Sequence, residues 1–128
     1  MRLLVDTHLL LWAVAQSGRL SKEARRLLEN PRNDVYYSAA SLWEIAIKLG
    51  LGRDGFDVDL GELRSALIDM GFIELPVTGV HAERLVALPS IHKDPFDRML
   101  VAQSLSEPLI LLTNDDVLKE YGELVHVV

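Results

Sequence analysis

The chain of 128 residues has no cysteine. That one absence excludes disulfides, thiolate zinc sites and cysteine nucleophiles, and it fits a reducing cytoplasm, the compartment expected for this protein. Cationic charge is also in short supply: 13 Lys and Arg stand against 19 Asp and Glu, a net charge of −6. A broad electrostatic grip on nucleic acid calls for the opposite sign, so RNA or DNA would have to be held by a local basic rim or by bound metal. The same charge suits a basic partner protein. Long apolar runs are missing too. No stretch reaches the ~18 apolar residues of a membrane span, and Asp6 and His8 interrupt the apolar N-terminus, which weakens a secretory-signal reading. No membrane partner is expected.

What is present is core material. Apolar residues make up 49% of the chain, and a chain of this length buries roughly two thirds of its unfolded surface around one core. A single domain over residues 1–128 is expected. There are no repeats and no low-complexity tract.

Residues 2–5, "DVYYSA", "FIELPV", "PLILLT" and "LVHVV" read as strands. Most are continuous apolar runs rather than alternating ones, as in strands buried on both faces. Helical material lies between them. "LLLWAVAQSGRLSKEARRLLEN" breaks at Ser17-Gly18 and restarts at a Ser21 cap. "SLWEIAIKLGLG" ends at Gly50 or Gly52, and "LGELRSALIDMG" and "GVHAERLVALPS" follow. "DPFDRMLVAQSLS" has Pro95 at its first position, and "NDDVLKEYG" is a short last helix. Residues 50–61 hold four glycines and three aspartates, a loop and the expected mobile part. Strands alternating with helices define a mainly parallel sheet covered on both faces, a three-layer α/β/α sandwich with right-handed crossovers.

In such sheets ligands bind beyond the carboxyl ends of the strands. Asp6 sits at the end of the first apolar run, where a carboxylate needs a partner or a cation. A second run, "LILL", leads into Thr113-Asn114-Asp115-Asp116. Glu44 and Asp97 lie near helix starts that should face the same edge. Four converging carboxylates would repel one another and raise each other's pKa values. An all-oxygen acidic site of this kind suits Mg²⁺ or Mn²⁺, and such ions activate water in phosphodiester cleavage.

Each acid also fits a purely structural role. Ser41 and Glu44 have capping-box spacing, and Glu44 stands four residues before Lys48. Asp94 could cap a helix with Asp97 in its first turn. Asn114, Asp115 and Asp116 could cap the next helix, and Asp6 could cap the one after the first strand. Leu42, Trp43, Ile45, Ala46, Ile47 and Leu49 surround Glu44 on nearly every helical face, so the helix is expected to be buried and Glu44 with it.

The segments "LLVDTHLLLW", "SAASLWEIAIKLGLGR", "HKDPFDRMLVAQ" and "LLTNDDVL" resemble, in order, the four motif regions of PIN-domain nucleases, specifically the VapC toxins of bacterial and archaeal toxin–antitoxin pairs. The resemblance runs from residue 3 to about residue 118. It implies a PIN-like fold and a Mg²⁺- or Mn²⁺-dependent endoribonuclease. By motif position it makes Asp6 the first metal ligand, Glu44 the second acid, Asp97 the third in preference to Asp94, and Asp115 the fourth, with Thr113 beside it. The double acid leaves Asp115 and Asp116 as alternatives, and one or two ions remain open. The implied partners are an RNA substrate, a second copy in a homodimer, and a cognate antitoxin whose C-terminal tail lies in a groove and blocks the site. Leu9–Trp12 and Trp43 could line that groove or belong to the core. Lys48, Arg53, Lys93 and Arg98 could contact phosphates or pair with nearby acids. His8 and His92 invite general-acid roles but are expected to be structural.

Two other classes are weighed against this. Haloacid-dehalogenase-like phosphatases also carry an acid after an early strand, but with a second Asp two residues on, where this chain has His8. Response-regulator receivers need a Lys after a late strand, where "LILLTNDD" supplies acids. A PIN fold kept only as an RNA- or protein-binding module would have lost acids that this chain retains.

Overall fold

Leu3, Leu4 and Val5 have no solvent exposure, which a strand achieves only when both faces are covered. The computed structural model describes residues 1–52 and 57–128. In it these residues belong to β1 (Arg2–Val5), the central strand of a five-stranded sheet. β2 (Asp34–Ser38) and β4 (Ile110–Thr113) flank it, and β3 (Ile73–Leu75) and β5 (Val125–Val127) form the edges. The order is β3-β2-β1-β4-β5 and every pairing is parallel.

Neighbouring residues of β1 serve opposite faces. Leu3 and Val5 join Leu112 of β4 in one core, with Leu9 and Leu10 of α1 (Thr7–Val14), Leu28 of α2 (Lys22–Glu29), Ile45 of α3 (Ala39–Gly50) and Leu67 of α4 (Leu60–Asp69). Leu4 and Leu111 join a second core with Leu100 and Val101 of α6 (Pro95–Ser106) and with Leu118 of a 3-10 helix, Asp116–Tyr121. α5 (Gly79–Ala87) packs on α6. The architecture is the expected α/β/α sandwich.

The strand order has a functional consequence. The chain moves outward from β1 to β2 and β3, then crosses to β4 on the other side of β1. Helices after β1 and β2 therefore cover one face, and those before β4 cover the other. The crevice between the carboxyl ends of β1 and β4 is the switch point of the sheet, where open α/β folds leave room for ligands.

Several local expectations shift. α3 begins at Ala39, capped by Ser38, whose Oγ accepts from the Ala40 amide. Ser41 and Glu44 are thus inside the helix, and the capping box between them does not form. β3 is only three residues long, and "NDDVLKEYG" folds as a 3-10 helix. The Ser21 cap and the Pro95 helix start are as read from the sequence. Of the expected loop, residues 53–56 lie outside the described residues, and α4 has begun by Leu60.

Two side-chain clasps secure the periphery. Arg64 of α4 holds Glu74 of the edge strand β3 with two hydrogen bonds of 2.8 and 3.1 Å, and Tyr37 donates to the same carboxylate. The Arg64 guanidinium lowers the Glu74 pKa. Buried His81 accepts from the Thr78 amide at Nδ1, which leaves its proton on Nε2, 2.6 Å from Glu107 at the end of α6.

Leu111 has no exposure and belongs to the second core. Leu111→Ala is therefore expected to cost about 2–5 kcal/mol, read as a lower denaturant midpoint with unchanged slope.

Candidate functional site

At the switch point the first strand ends in a carboxylate that is almost fully enclosed. Asp6 is 4% exposed. Its amide continues the ladder to the Leu112 carbonyl at 3.0 Å, so its position is set by the sheet. Its Oδ1 accepts from the Leu9 amide at 2.9 Å and caps α1. Its Oδ2 accepts from the Thr113 hydroxyl at 2.6 Å. The hydroxyl of Thr113 accepts in turn from the Asp115 amide at 3.1 Å. One threonine thus fixes the ends of β1 and β4 to each other.

Glu44 reaches the site from α3. It lies on the inner side of the helix, with 9% exposure. Thr7 Oγ1 is 2.8 Å from Glu44 Oε1 and 2.9 Å from Ser41 Oγ. With one proton to give, Thr7 donates to the carboxylate and accepts from Ser41. The other oxygen, Oε2, pairs with Lys48 at 3.1 Å. The premise that α3 is buried all round fails, because Trp43 is 64% and Ile47 40% exposed. The inference about Glu44 survives, because the acid occupies the buried stripe.

Asp97 lies in the first turn of α6, whose cap is Asp94. Asp94 Oδ1 accepts from the amides of Phe96 at 2.8 Å and Asp97 at 3.2 Å, so of the two acids it is Asp94 that takes the structural post. Asp115 caps the 3-10 helix through Oδ1, which accepts from the Val117 amide at 3.0 Å. Asp116 is exposed.

Between Asp97 and Asp115 stands His92, a residue the sequence leads one to expect in a structural role. Its Nε2 is 2.9 Å from Asp115 Oδ2 and 3.4 Å from Asp97 Oδ2. Among the described residues, His92, Asp97 and Asp115 form a group whose ligand-type atoms lie within 4.8 Å of one another. The histidine is nevertheless a poor metal ligand in this setting. The Asp94 amide can only donate, and it donates to His92 Nδ1 at 3.0 Å, so the ring proton is on Nε2 and points at the two carboxylates. His92 is a donor to the acids. Its own amide donates to the Tyr121 hydroxyl at 2.9 Å, which fixes the loop that presents it. The signal for this was local: in "HKDP" a histidine two residues before a helix-capping aspartate can accept that aspartate's amide.

Burial pushes the Asp6 carboxyl above its ordinary value, and hydrogen bonds from Thr113 and Leu9 pull it back. Asp97 is pushed up to about 7, first by burial and next by the charge of Asp94. His92 opposes the rise, while Asp6 and Glu44 add to it. Asp97 therefore feels Asp6 and Glu44 across one crevice, and Asp115 adjoins it through His92. The excess negative charge, the hard oxygen donors and the elevated Asp97 fit a divalent cation of the Mg²⁺ or Mn²⁺ type.

The nearby cations are largely committed. Lys48 pairs with Glu44. Arg98 donates to the carbonyls of Pro89 at 3.0 Å and Leu85 at 3.4 Å, and to the Tyr121 hydroxyl at 3.3 Å, so it neither faces the crevice acids nor stands free. Lys93 is exposed, and Arg53 lies outside the described residues. His8 is exposed and stacks on Trp12, with ring centroids 6.0 Å apart. Leu9 and Leu10 belong to the core.

A five-stranded parallel sheet with carboxylates from four chain segments at its switch point defines an acid-centred α/β protein. The chain belongs to the PIN domain family, whose model matches residues 3–124. Among solved structures it is similar to VapBC2 from Rickettsia felis, determined bound to a DNA fragment from their promoter. The TM-score is 0.68 at 13% identity, over 99% of this chain and 98% of that one; at that identity the likeness is one of fold. Compared with curated proteins, the chain matches none. No described helix is long and apolar enough to cross a membrane.

The folded state binds the Asp97 proton more tightly than the unfolded chain, whose carboxyl has the ordinary value of 3.8. Stability of the metal-free protein should therefore fall as pH rises from about 4 towards 7, because the unfolded state then holds fewer protons than the native one. Melting temperatures across that range should show this slope, and Asp97→Asn should flatten it.

Proposed function

We propose that the chain is a VapC-type endoribonuclease, the toxin of a toxin–antitoxin pair, with its 128 residues acting as one PIN-like nuclease domain. The observation that carries this is the gathering of Asp6, Glu44, Asp97 and Asp115 at the switch point, with the Asp97 carboxyl driven up to about 7. PIN family membership supports the nuclease class. Likeness to a VapBC2 complex supports a cognate antitoxin as partner. A homodimer and a cytoplasmic setting complete the proposal.

In this reading Asp6, Glu44, Asp97 and Asp115 hold Mg²⁺ or Mn²⁺. Such an ion, when bound, polarises a phosphodiester and lowers the pKa of water. The protein's own contribution is orientation. Thr113 and the Leu9 amide fix both oxygens of Asp6, and Thr7 and Lys48 fix those of Glu44. His92 keeps a proton at Nε2, directed at Asp115 and Asp97, which limits repulsion between them.

Two measurements test the proposal. Millimolar Mn²⁺ should raise the melting temperature, since a ligand bound only by the folded state at a hundred times its Kd adds about 2.7 kcal/mol; Asp6→Asn should abolish the gain. Expression of the chain alone should arrest growth and cleave cellular RNA. The neighbouring reading frame should relieve the arrest, and Asp97→Asn should not cause it. Normal growth with abundant soluble wild-type protein would refute the toxin assignment.

A further inference from the structure

We propose that the exposed indole of Trp43, braced by Phe96, is a platform on which a base of single-stranded RNA stacks beside the acidic crevice. This rests on the ribonuclease reading and deepens it by assigning a substrate-binding side chain. Trp43 is 64% exposed, a costly position for so large an apolar surface. It is not loosely held. Its ring meets that of Phe96 edge to face, with centroids 5.2 Å apart and planes at 77°, a favourable aromatic geometry.

The platform adjoins the site through the chain itself. Trp43 immediately precedes Glu44, and Phe96 immediately precedes Asp97. The packing of α3 on α6 that lets the charges of Glu44 and Asp97 feel each other also brings the two rings together. A polynucleotide passing over the acids would meet this pair next.

Charge leaves a role for stacking. Phosphate contacts supply most non-specific affinity in nucleic-acid binding, yet this chain carries −6, Lys48 is paired with Glu44, and Arg98 is turned to carbonyls. Stacking needs no cation, because every base offers a π face to an aromatic ring. Only unpaired bases present that face, so the substrate is a single strand or loop. The rival occupant is a second copy of the chain, since Ile47 and Leu51 extend the exposed apolar stripe at four-residue spacing. Those aliphatic residues cannot stack, whereas the ring nearest the acids can.

The test is binding of a labelled single-stranded RNA, with Mn²⁺, to the full chain carrying Asp97→Asn to silence cleavage. Adding Trp43→Ala should weaken binding by about 5- to 150-fold, the range of one lost base–aromatic stack, with the salt dependence unchanged. Trp43→Tyr should restore most of the affinity, and an abasic nucleotide at the stacked position should remove the difference between Trp and Ala. In the active chain Trp43→Ala should raise KM far more than it lowers kcat. Affinity equal to the parent's, or affinity lost only in step with a drop in oligomeric mass, overturns the platform; the latter assigns the stripe to a second copy. A wild-type chain that still cleaves RNA in those cases leaves the ribonuclease reading standing. A wild-type chain that neither binds nor cleaves single-stranded RNA defeats both.

Discussion

The hydrogen bond from Thr113 to Asp6 is the constraint on which the site is built. It joins the ends of β1 and β4, the two strands that bound the switch point, at 2.6 Å and without exposure to solvent at Thr113. A buried carboxylate is costly unless its oxygens are satisfied, and here a hydroxyl and a helix amide satisfy them while leaving the charge in place. A neutral donor does not cancel a negative charge; it only makes the charge tolerable. Asp6 is thus kept ionisable and aimed, and burial still raises its pKa.

The same economy recurs at the other acids, and it dissolves the opposition between structural and functional roles. Asp115 caps the 3-10 helix with Oδ1 and offers Oδ2 to His92. Glu44 gives one oxygen to Thr7 and the other to Lys48, its neighbour one turn on. A cap or an i,i+4 pair fixes the rotamer of a carboxylate, and a fixed rotamer is what a ligand to a small hard cation requires. Asp94 shows the contrast: it caps α6 through one oxygen with two amides, and its charge acts on Asp97 from behind.

The sheet was legible because a strand buried on both faces leaves a plain mark in the sequence, a continuous apolar run, and β1 and β4 are such runs. Glu44 and Asp97 were named from motif position and the spacing of helix starts, whereas Asp6 was legible because a carboxylate directly after such a run needs a partner or a cation. His92 was not, since its role depends on a ring tautomer imposed by the Asp94 amide, and a composition or spacing argument cannot see a tautomer. The exposed side of α3 is hidden from the sequence for a related reason. A helix apolar on every side shows how much surface it could bury, but which stripe meets the sheet is decided by packing, and the sheet took Ile45 and left Trp43 outside. Arg98 follows neither of the two roles open to it in the sequence, phosphate contact or pairing with an acid, because the carbonyls of Pro89 and Leu85 take its guanidinium.

These assignments bear on how a protein of net charge −6 could hold a polyanion at all. Two cations that the sequence offers for the purpose are already engaged, and the crevice is lined with acids, among them Asp97, which burial first and the neighbouring carboxylates next push up. A phosphate approaching those acids alone meets like charge at short range, where the low dielectric makes repulsion strongest. In the proposed reading attraction is supplied by a cation held at the acids and by surfaces that need no charge. On that reading the carboxylates and the exposed ring of Trp43, braced by the half-buried Phe96, are complementary halves of one solution: the first would gather cationic charge at the scissile backbone, and the second would hold a base where that charge does not reach.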